Sequence, residues 1–259
     1  MPRPGLPRRL RHGEEATLVE HLGELRARLV ISLIAVAAAM IFTYVFHGHL
    51  LHWLNQPLPD RYQGKLLTLS PAEPFTTSLL VSFWAAMLIA LPIVLWQLWA
   101  FLAPAFEEHR QRGIMMVVLF ATLLGLGGVA FAYWIVLPPA IHFLTNYDTK
   151  YFDIAVRARD YYRFVMWVLI GVAAAFEVPV FVLALVRLRV LTAAKLRSTW
   201  RVGVFVMTVI GVILPGVDPV STILSVVPLV GLYVLSIVLA SILEPRWTRP
   251  LEVSPGETG

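Results

Sequence analysis

Residues 77–102 read TSLLVSFWAAMLIALPIVLWQLWAFL, and this stretch decides the fold class. None of its 26 residues is Asp, Glu, Lys or Arg. An α-helix of this length extends ~39 Å, which exceeds the ~30 Å hydrocarbon core of a bilayer. The stretch therefore predicts a helix that crosses a membrane.

Five other apolar blocks along the chain predict the same kind of helix. They are Leu29–Phe46, Ile114–Leu137, Tyr162–Val186, Val202–Leu214 and Ile223–Leu243. Because 58% of the 259 residues are hydrophobic and only 14% are charged, the composition is that of a membrane protein rather than a soluble domain. We predict an all-α protein with six transmembrane helices in a single membrane domain over residues 1–259, with flexible tails at 1–13 and 245–259.

The fifth block is the shortest of the six. Val202–Leu214 has 13 residues and would reach only about 20 Å as a helix. It fits a short helix in a locally thinned bilayer, or one half of a re-entrant hairpin with the sixth block. We favour the short helix, because Arg197 and Arg201 place basic flanks before it.

The distribution of Lys and Arg predicts the orientation of the helices. Of the 21 such residues, 15 fall in the two terminal segments and in the second and fourth connections, and six fall in the first and third connections. Basic residues are retained on the cytoplasmic side. Both termini are therefore predicted to be cytoplasmic, and the net charge of +5 needs no nucleic acid as a partner.

Sequence motifs of enzymes and cofactor sites are absent. The chain has no cysteine, no G-x-x-x-x-G-K-S/T loop for nucleotide phosphates, no H-E-x-x-H and no G-x-S-x-G. Of His47, His49 and His52 only the last two could share a helix face, so interfacial histidines are a better interpretation than a metal site. We predict no catalytic residue, no metal and no cofactor.

Glu177 is the most informative single residue, within AAAFEVP at 173–179. It lies ten residues before Arg187, or about 15 Å, and therefore near the bilayer midplane. A carboxyl group at that depth is costly unless it faces a polar cavity or a partner, or stays protonated. Pro179 frees the carbonyl of Ala175 and predicts a kink nearby. A functional role is favoured over a structural interhelix hydrogen bond, which Ser, Thr or Asn more often make.

A second acidic residue, Asp218, lies in the turn sequence LPGVDP at 214–219. The turn residues predict a loop on the outer face between the fifth and sixth helices. Asp218 either caps the sixth helix or has a function in that loop, and the sequence favours neither.

Residues 18–29, LVEHLGELRARL, predict an amphipathic helix along the cytoplasmic interface. Its leucines recur at helical spacing, at positions Leu18, Leu22, Leu25 and Leu29. Glu24 and Arg28 are four residues apart on the polar face.

Six sets of short motifs occur along the chain in one order. They are HLGELRARL at 21–29, PL at 57–58 with SPAEPF at 70–75, WQLWAFLAPA at 96–105, FAY at 131–133, FEVP at 176–179 and DPVS at 218–221. In this order they resemble the motifs of the TatC family, the core subunit of the twin-arginine protein translocase. The resemblance covers roughly residues 17–243.

The resemblance implies a fold, a function and a set of partners. The fold is a concave bundle of six helices whose fifth and sixth members are short. The function is to bind twin-arginine signal peptides of folded proteins at the cytoplasmic face of a bacterial or archaeal cytoplasmic membrane, with export driven by the proton gradient. The partners are single-helix subunits of the TatA and TatB types, the lipid bilayer and further copies of the chain.

The resemblance also implies roles for individual residues. Those assigned to signal-peptide binding on this basis are Glu24, Arg26, Phe101 and Pro104, and Glu107 and Glu108 are added as candidates because they lie close to a departure from the family pattern. Glu24 is the carboxylate that matches the guanidinium groups of the peptide, which carboxylates bind bidentately. Pro57 and Asp218 belong to outer loops, Thr222 to a partner contact, and Glu177 to a polar position inside the membrane.

The chain departs from the family pattern at two places. Arg110 stands where the family usually has a glutamate, which leaves two alternatives for nearby Glu107 and Glu108. In the first, one of them replaces the missing carboxylate, with Glu108 the preferred candidate over Glu107. In the second, both are ordinary solvated charges. In the sixth helix Tyr233-Val234 stands where a glutamate is common in the family, so fewer polar side chains are expected near Glu177.

Other functions remain as alternatives at this point. The main one is a proton-coupled small-solute transporter that uses Glu177 as its protonatable group. A membrane scaffold is a further alternative. An intramembrane enzyme would need a convergent pair of catalytic groups, which the sequence does not offer.

Overall fold

The structure is a computed structural model that describes residues 18–64, 66–102, 111–213 and 218–248. Its helices, in chain order, are α1 Leu18–Val45, α2 His47–Asn55, α3 Glu73–Leu102, α4 Gln111–Phe131, α5 Leu137–Asn146, α6 Ala158–Phe176, α7 Val178–Arg187, α8 Ala193–Ser198, α9 Trp200–Ile213 and α10 Pro219–Thr248. A π-helical turn, Ala132–Val136, joins α4 to α5. The all-helical prediction is confirmed for this part of the chain.

Within these ranges, five helical segments are long and apolar enough to cross a membrane. They are His21–Val45, Glu73–Phe101, Met115–Asn146, Ala158–Arg187 and Pro219–Pro245. The third contains α4, the π-helical turn and α5, and the fourth contains α6 and α7. Trp200–Ile213 is a shorter apolar helix of 14 residues. The described residues of the six apolar blocks thus lie almost entirely in helices, and the helix of the fifth block is short as predicted.

The sixth helix is not short, and here the expectation drawn from the resemblance was wrong. α10 has 30 residues, about 45 Å of helix. It continues to Thr248, so residues 245–248 belong to a helix rather than to a flexible tail. Near its carboxyl end, Glu244 accepts a hydrogen bond from the backbone N–H of Ala193 at 2.7 Å, which ties this extension to α8.

The prediction of an interfacial helix at residues 18–29 is also wrong in one respect. Residues 18–29 are the first turns of α1, which continues without a break into the apolar segment. A single glycine, Gly23, costs only about 1 kcal/mol inside a helix, and no proline interrupts this stretch. The polar face of these turns therefore lies on the same helix axis as the membrane segment.

Successive spans pack antiparallel. Arg28 meets Gln97 near one end of α1 and α3, and Thr43 meets Ser82 near the other. α9 and α10 repeat this pattern, because Gly203 abuts Tyr233 and Gly211 abuts Val226. We call the end that holds the start of α1 and the carboxyl ends of α3, α7 and α10 the first end, and the opposite one the second end.

The largest apolar cluster lies toward the second end. It packs α6 against α2, α3 and the π-helical turn, with Leu54, Val136, Leu137, Val165 and Leu169 almost fully buried. Extended chain closes this end, where Leu67 N–H donates to the Val156 carbonyl at 2.9 Å and Ala158 N–H donates to the Leu67 carbonyl at 2.8 Å. The fold thus leaves two kinds of polar position: the first end, and isolated groups between the helices.

Candidate functional site

The predicted carboxylate Glu24 lies at the first end, beside α3. Arg28, one turn later on α1, donates to Glu24 Oε1 through Nε at 3.0 Å and through Nη2. Its third nitrogen, Nη1, donates to Gln97 Oε1 at 3.4 Å. Both bonds to Glu24 reach the same oxygen, and no donor from the described part of the chain reaches Oε2. The side chain of Glu24 remains 31% exposed.

An aromatic pair adjoins this carboxylate. His21, also on α1, stacks on Phe101 near the end of α3, with ring centroids 4.5 Å apart. The structure therefore places Phe101 against the helical turn that precedes Glu24, so these two predicted site residues, 77 positions apart in sequence, lie at the same end of the protein. Arg26 is exposed on α1.

The remaining predicted residues of this site cannot be placed. Pro104, Glu107 and Glu108, together with Arg110, lie outside the described residues. The proposed replacement of the missing carboxylate by Glu108 or Glu107 therefore stays a prediction.

Glu177 occupies a break in the fourth span. α6 ends at Phe176 and α7 begins at Val178, and the N–H of Glu177 donates to the Ala174 carbonyl at 3.2 Å in a tightened turn. Pro179 supplies no N–H for the Ala175 carbonyl, so the predicted kink is confirmed at this point. The side chain is only 4% exposed, and neither carboxylate oxygen has a hydrogen-bond partner in the described part of the chain.

Two glycines of α4 make room for this break, and the sequence analysis missed both. A Cβ on Gly125 would lie 2.7 Å from Glu177 Oε1 and 2.8 Å from Leu91 Cδ2. A Cβ on Gly128, one turn later, would lie 2.9 Å from the Cα of Ala173. The sequence did contain a pattern that indicates this contact: two glycines three positions apart lie on one helix face, and small residues at that spacing allow a second helix to approach closely. The space beside Glu177 thus depends on the glycines of α4.

Asp218 caps α10. Its Oδ1 accepts the N–H of Ser221 at 2.7 Å, and its Oδ2 accepts the Ser221 hydroxyl. Thr222 donates its hydroxyl to the Asp218 carbonyl at 2.8 Å. The capping alternative is therefore confirmed, and the functional one is not tested. Because the Thr222 hydroxyl donates its hydrogen within its own helix, a partner contact of this residue would use its methyl group or the lone pairs of the hydroxyl oxygen as acceptors.

The second end is organised by aromatic side chains and by α2. The Trp53 and Tyr133 rings stack with centroids 3.9 Å apart, and the Tyr133 hydroxyl donates to the Trp53 carbonyl at 2.8 Å. Tyr161 donates to the Leu54 carbonyl at 2.6 Å. Pro57, half-buried, follows directly in the turn after α2. These aromatic residues therefore fix α2 and the turn that contains Pro57.

An ion pair that the sequence analysis did not find crosses the same end. Arg157 donates through Nε to Glu73 Oε1 at 2.8 Å and through Nη2 to Oε2 at 3.1 Å. Glu73 is nearly buried and also accepts the N–H of Leu69 at 2.9 Å. The bond to Glu73 raises the pKa of the Arg157 guanidinium above its ordinary value. The pair joins the first and third connections across 84 positions, a separation at which no local pattern could reveal it.

Comparisons with known proteins agree over most of the chain. The family described as "Sec-independent protein translocase protein (TatC)" matches residues 20–228. The TatC protein of Helicobacter pylori (strain J99) is 33% identical over 228 residues, or 88% of this chain and 90% of the relative. That of Aquifex aeolicus is 33% identical over 87% of this chain and 95% of the relative. A crystal structure of the twin-arginine translocase receptor TatC has a TM-score of 0.76 and 32% identity, over 88% of this chain and 100% of the solved one.

Proposed function

The chain belongs to the TatC family of Sec-independent protein translocase proteins, and from this premise we propose that it binds twin-arginine signal peptides at its first end. As a member it is a membrane-embedded component of a protein translocase, and the family is not an enzyme family. The finer proposal is that the first end is cytoplasmic, with both termini there, in a bacterial or archaeal inner membrane. Binding then nucleates assembly with TatA- and TatB-type subunits, and the proton gradient drives export.

The observation that carries the proposal is the environment of Glu24. Its Oε1 is saturated by Arg28, while Oε2 has no donor from the described residues, and the side chain is partly exposed. A carboxylate in this state already holds one guanidinium and has room for a second. Charge-assisted pairing with an arginine of the peptide is stronger than a neutral hydrogen bond, and its fork geometry distinguishes arginine from lysine.

The surface around Glu24 also suits the rest of a signal peptide. Such peptides follow their basic region with an apolar stretch of about 7–15 residues. Leu22, Leu25 and Leu29 are exposed on the same turns of α1, and the His21–Phe101 pair lies beside them. The leucines form an apolar stripe on the turns of α1 that carry the carboxylate, and the aromatic pair includes His21, one turn before Glu24. The roles of Arg26 and Pro104 in the site rest on the resemblance alone. Those of Glu107 and Glu108 rest on their closeness in sequence to Arg110, which stands where the family usually has a glutamate.

A single-residue change tests this assignment. Glu24→Ala, and more strongly Glu24→Lys, should abolish crosslinking of a twin-arginine peptide while the protein stays folded, because a partly exposed residue contributes little packing. Asp153→Ala is the matched control, since Asp153 is an exposed acid at the second end. Unchanged crosslinking in the Glu24 variants would remove Glu24 from the site. Export of a twin-arginine reporter, in a strain that lacks its own TatC, reports on the same variants in the cell.

Glu177 is proposed as the polar position that contacts an inserted partner helix or signal peptide. Its carboxylate is buried between α3, α4 and the α6–α7 break and lacks a partner among the described residues, so an entering polar group would supply the missing hydrogen bond. Thr222 is proposed as part of a partner contact on α10, and Pro57 as part of the outer loop that supports assembly.

The small-solute transporter is not favoured, because the family is that of a protein translocase. One measurement separates the two functions. Uptake of a labelled small solute into liposomes by the purified chain alone would support the transporter, and the translocase predicts none.

A further inference from the structure

The connection between α7 and α9, with the first turn of α9, carries exposed cations that form no ion pair with an acid among the described residues. Arg189, Lys195, Arg197 and Arg201 are all exposed. The ion pairs in the described part of the chain involve none of these four. We call these four residues the basic platform. Four exposed cations without an acidic partner among the described residues form a surface that attracts anions.

The backbone beneath the basic platform is fixed. α7 ends in a reverse turn in which Arg189 N–H donates to the Val186 carbonyl and Val190 N–H to the Leu185 carbonyl, both at 3.0 Å. Arg189 has φ 58°, in the left-handed position that glycine usually takes in such a turn. The charges are therefore presented from an ordered turn rather than from a loose loop.

The next turn, α8, is fixed from two sides. Its first N–H, on Ala193, donates to Glu244 of α10, and the Thr192 hydroxyl accepts the N–H of Lys195 at 3.2 Å. Ala193 and Leu196 are buried in a cluster with Val186. These residues hold one face of α8 inward, while Lys195 and Arg197 are both exposed.

Neighbouring side chains place the basic platform at the level of a membrane surface. Trp200 is half-exposed at the start of α9, with the guanidinium of Arg201 5.7 Å from its ring centroid. Directly after it, Val202 and Phe205 are exposed apolar residues of a helix short enough to lie within the bilayer. Trp and Arg at the junction of polar chain and apolar helix are typical of the lipid headgroup region.

We propose that the basic platform binds the headgroups of anionic phospholipids. The phosphate groups lie at the depth of Trp200 and Arg201, and guanidinium groups bind phosphate oxygens bidentately. The arginines of a signal peptide cannot be the ligand, because like charges repel. This inference does not depend on the proposed signal-peptide site, which uses Glu24 on α1.

The experiment measures lipid preference around the full chain. The purified protein is placed in nanodiscs of phosphatidylcholine with a minority of phosphatidylglycerol, and the lipids retained on the protein are counted by native mass spectrometry. The test variant is Lys195→Gln/Arg197→Gln/Arg201→Gln. The matched control is Lys150→Gln/Arg159→Gln/Arg163→Gln, which removes the same charge from exposed positions at the second end.

We expect the wild type and the control to enrich phosphatidylglycerol and the test variant to lose at least tenfold of that preference. A single basic residue near an anionic surface contributes about fivefold. The charge-retaining variant Arg197→Lys/Arg201→Lys should keep most of it. Equal loss in the control, or none in the test variant, would overturn the proposal.

Two further measurements test the proposal in other ways: the effect of salt on the wild type, and competition with a soluble phosphate. If the triple variant fails to fold, raising the salt from 0.05 to 0.5 M should reduce the wild-type preference, since headgroup attraction is screened. A preference that salt does not change would also overturn the proposal. Competition with soluble glycerol phosphate distinguishes the sources of phosphate: retention of the lipid against it supports a membrane ligand, and displacement by it assigns the platform to a free anion instead.

Discussion

Gly125→Ala is the change that most directly tests how Glu177 is held. The new methyl group would lie 2.7 Å from Glu177 Oε1 and 2.8 Å from Leu91 Cδ2. Real Cβ contacts are longer than this, so the carboxylate and the leucine must both move. Gly127, two residues later on the same helix, has no atom within 4 Å of an added Cβ. Gly127→Ala is therefore a control with the same chemistry and no clash.

The expected magnitude combines two opposed effects. Replacing glycine by alanine inside a helix gains about 1 kcal/mol in helix propensity, and both variants share this gain. Overpacking one methyl group in a packed interior costs about 1–3 kcal/mol, and only Gly125→Ala bears this cost. The free energy of unfolding of Gly125→Ala should thus fall below that of Gly127→Ala by about 1–3 kcal/mol.

A second-site change assigns the clash to its partner. In a Glu177→Ala background the nearest atom is gone, and the remaining one is the far end of the Leu91 side chain, which can rotate. The difference between the two glycine variants should then shrink to less than about 1 kcal/mol. The assay is reversible unfolding in mixed detergent micelles, followed by circular dichroism. Equal stability of Gly125→Ala and Gly127→Ala, or a difference that persists without the carboxylate, would refute this packing of Glu177 against α4.

Three further predictions concern charged residues. Glu73→Gln and Arg157→Gln should each lower the melting temperature by several degrees, because each single change leaves a charge without its partner. The double variant should lose less than the sum of the two losses. Strictly additive losses in thermal unfolding would contradict the coupling of the two residues. Glu177→Gln should retain more reporter export than Glu177→Leu, because an amide can still hydrogen-bond in hydrocarbon; wild-type export by the leucine variant would make the residue structural only. Glu108→Gln should weaken twin-arginine peptide binding by about 1.5–3 kcal/mol while Arg110→Ala should not; peptide affinities in the opposite order would exclude the replacement carboxylate.

Local features of this chain were predictable from the sequence. Long uncharged blocks gave the membrane helices, because spanning a bilayer requires a minimum apolar length. The break at Glu177 followed from Pro179, which removes one particular backbone hydrogen bond. Asp218 as a helix cap was one of two alternatives, and its partner Ser221 is only three positions away.

Features that depend on distant parts of the chain were not predictable. The contact of Gly125 with Glu177 depends on the register of two helices, which a one-dimensional pattern does not contain. The extension of α10 depends on Glu244 meeting the start of α8, and Pro245 suggested instead that the helix had ended. In each case the deciding interaction lies on another helix.

The signal-peptide proposal and the lipid proposal together account for the arrangement of charges at the first end. A receptor for cationic peptides must keep its own cations from competing for the carboxylate. Arg28 is held between Glu24 and Gln97, and it leaves Oε2 without a donor from the described residues. Arg26 is two positions from Glu24, so on a helix it points to nearly the opposite side. The four cations of the basic platform lie on the α7–α9 connection and the first turn of α9, where anionic headgroups would neutralise them. Screening limits their reach to about one Debye length, ~8 Å at physiological salt. The partly exposed carboxylate of Glu24 is then left to attract a guanidinium that arrives from outside.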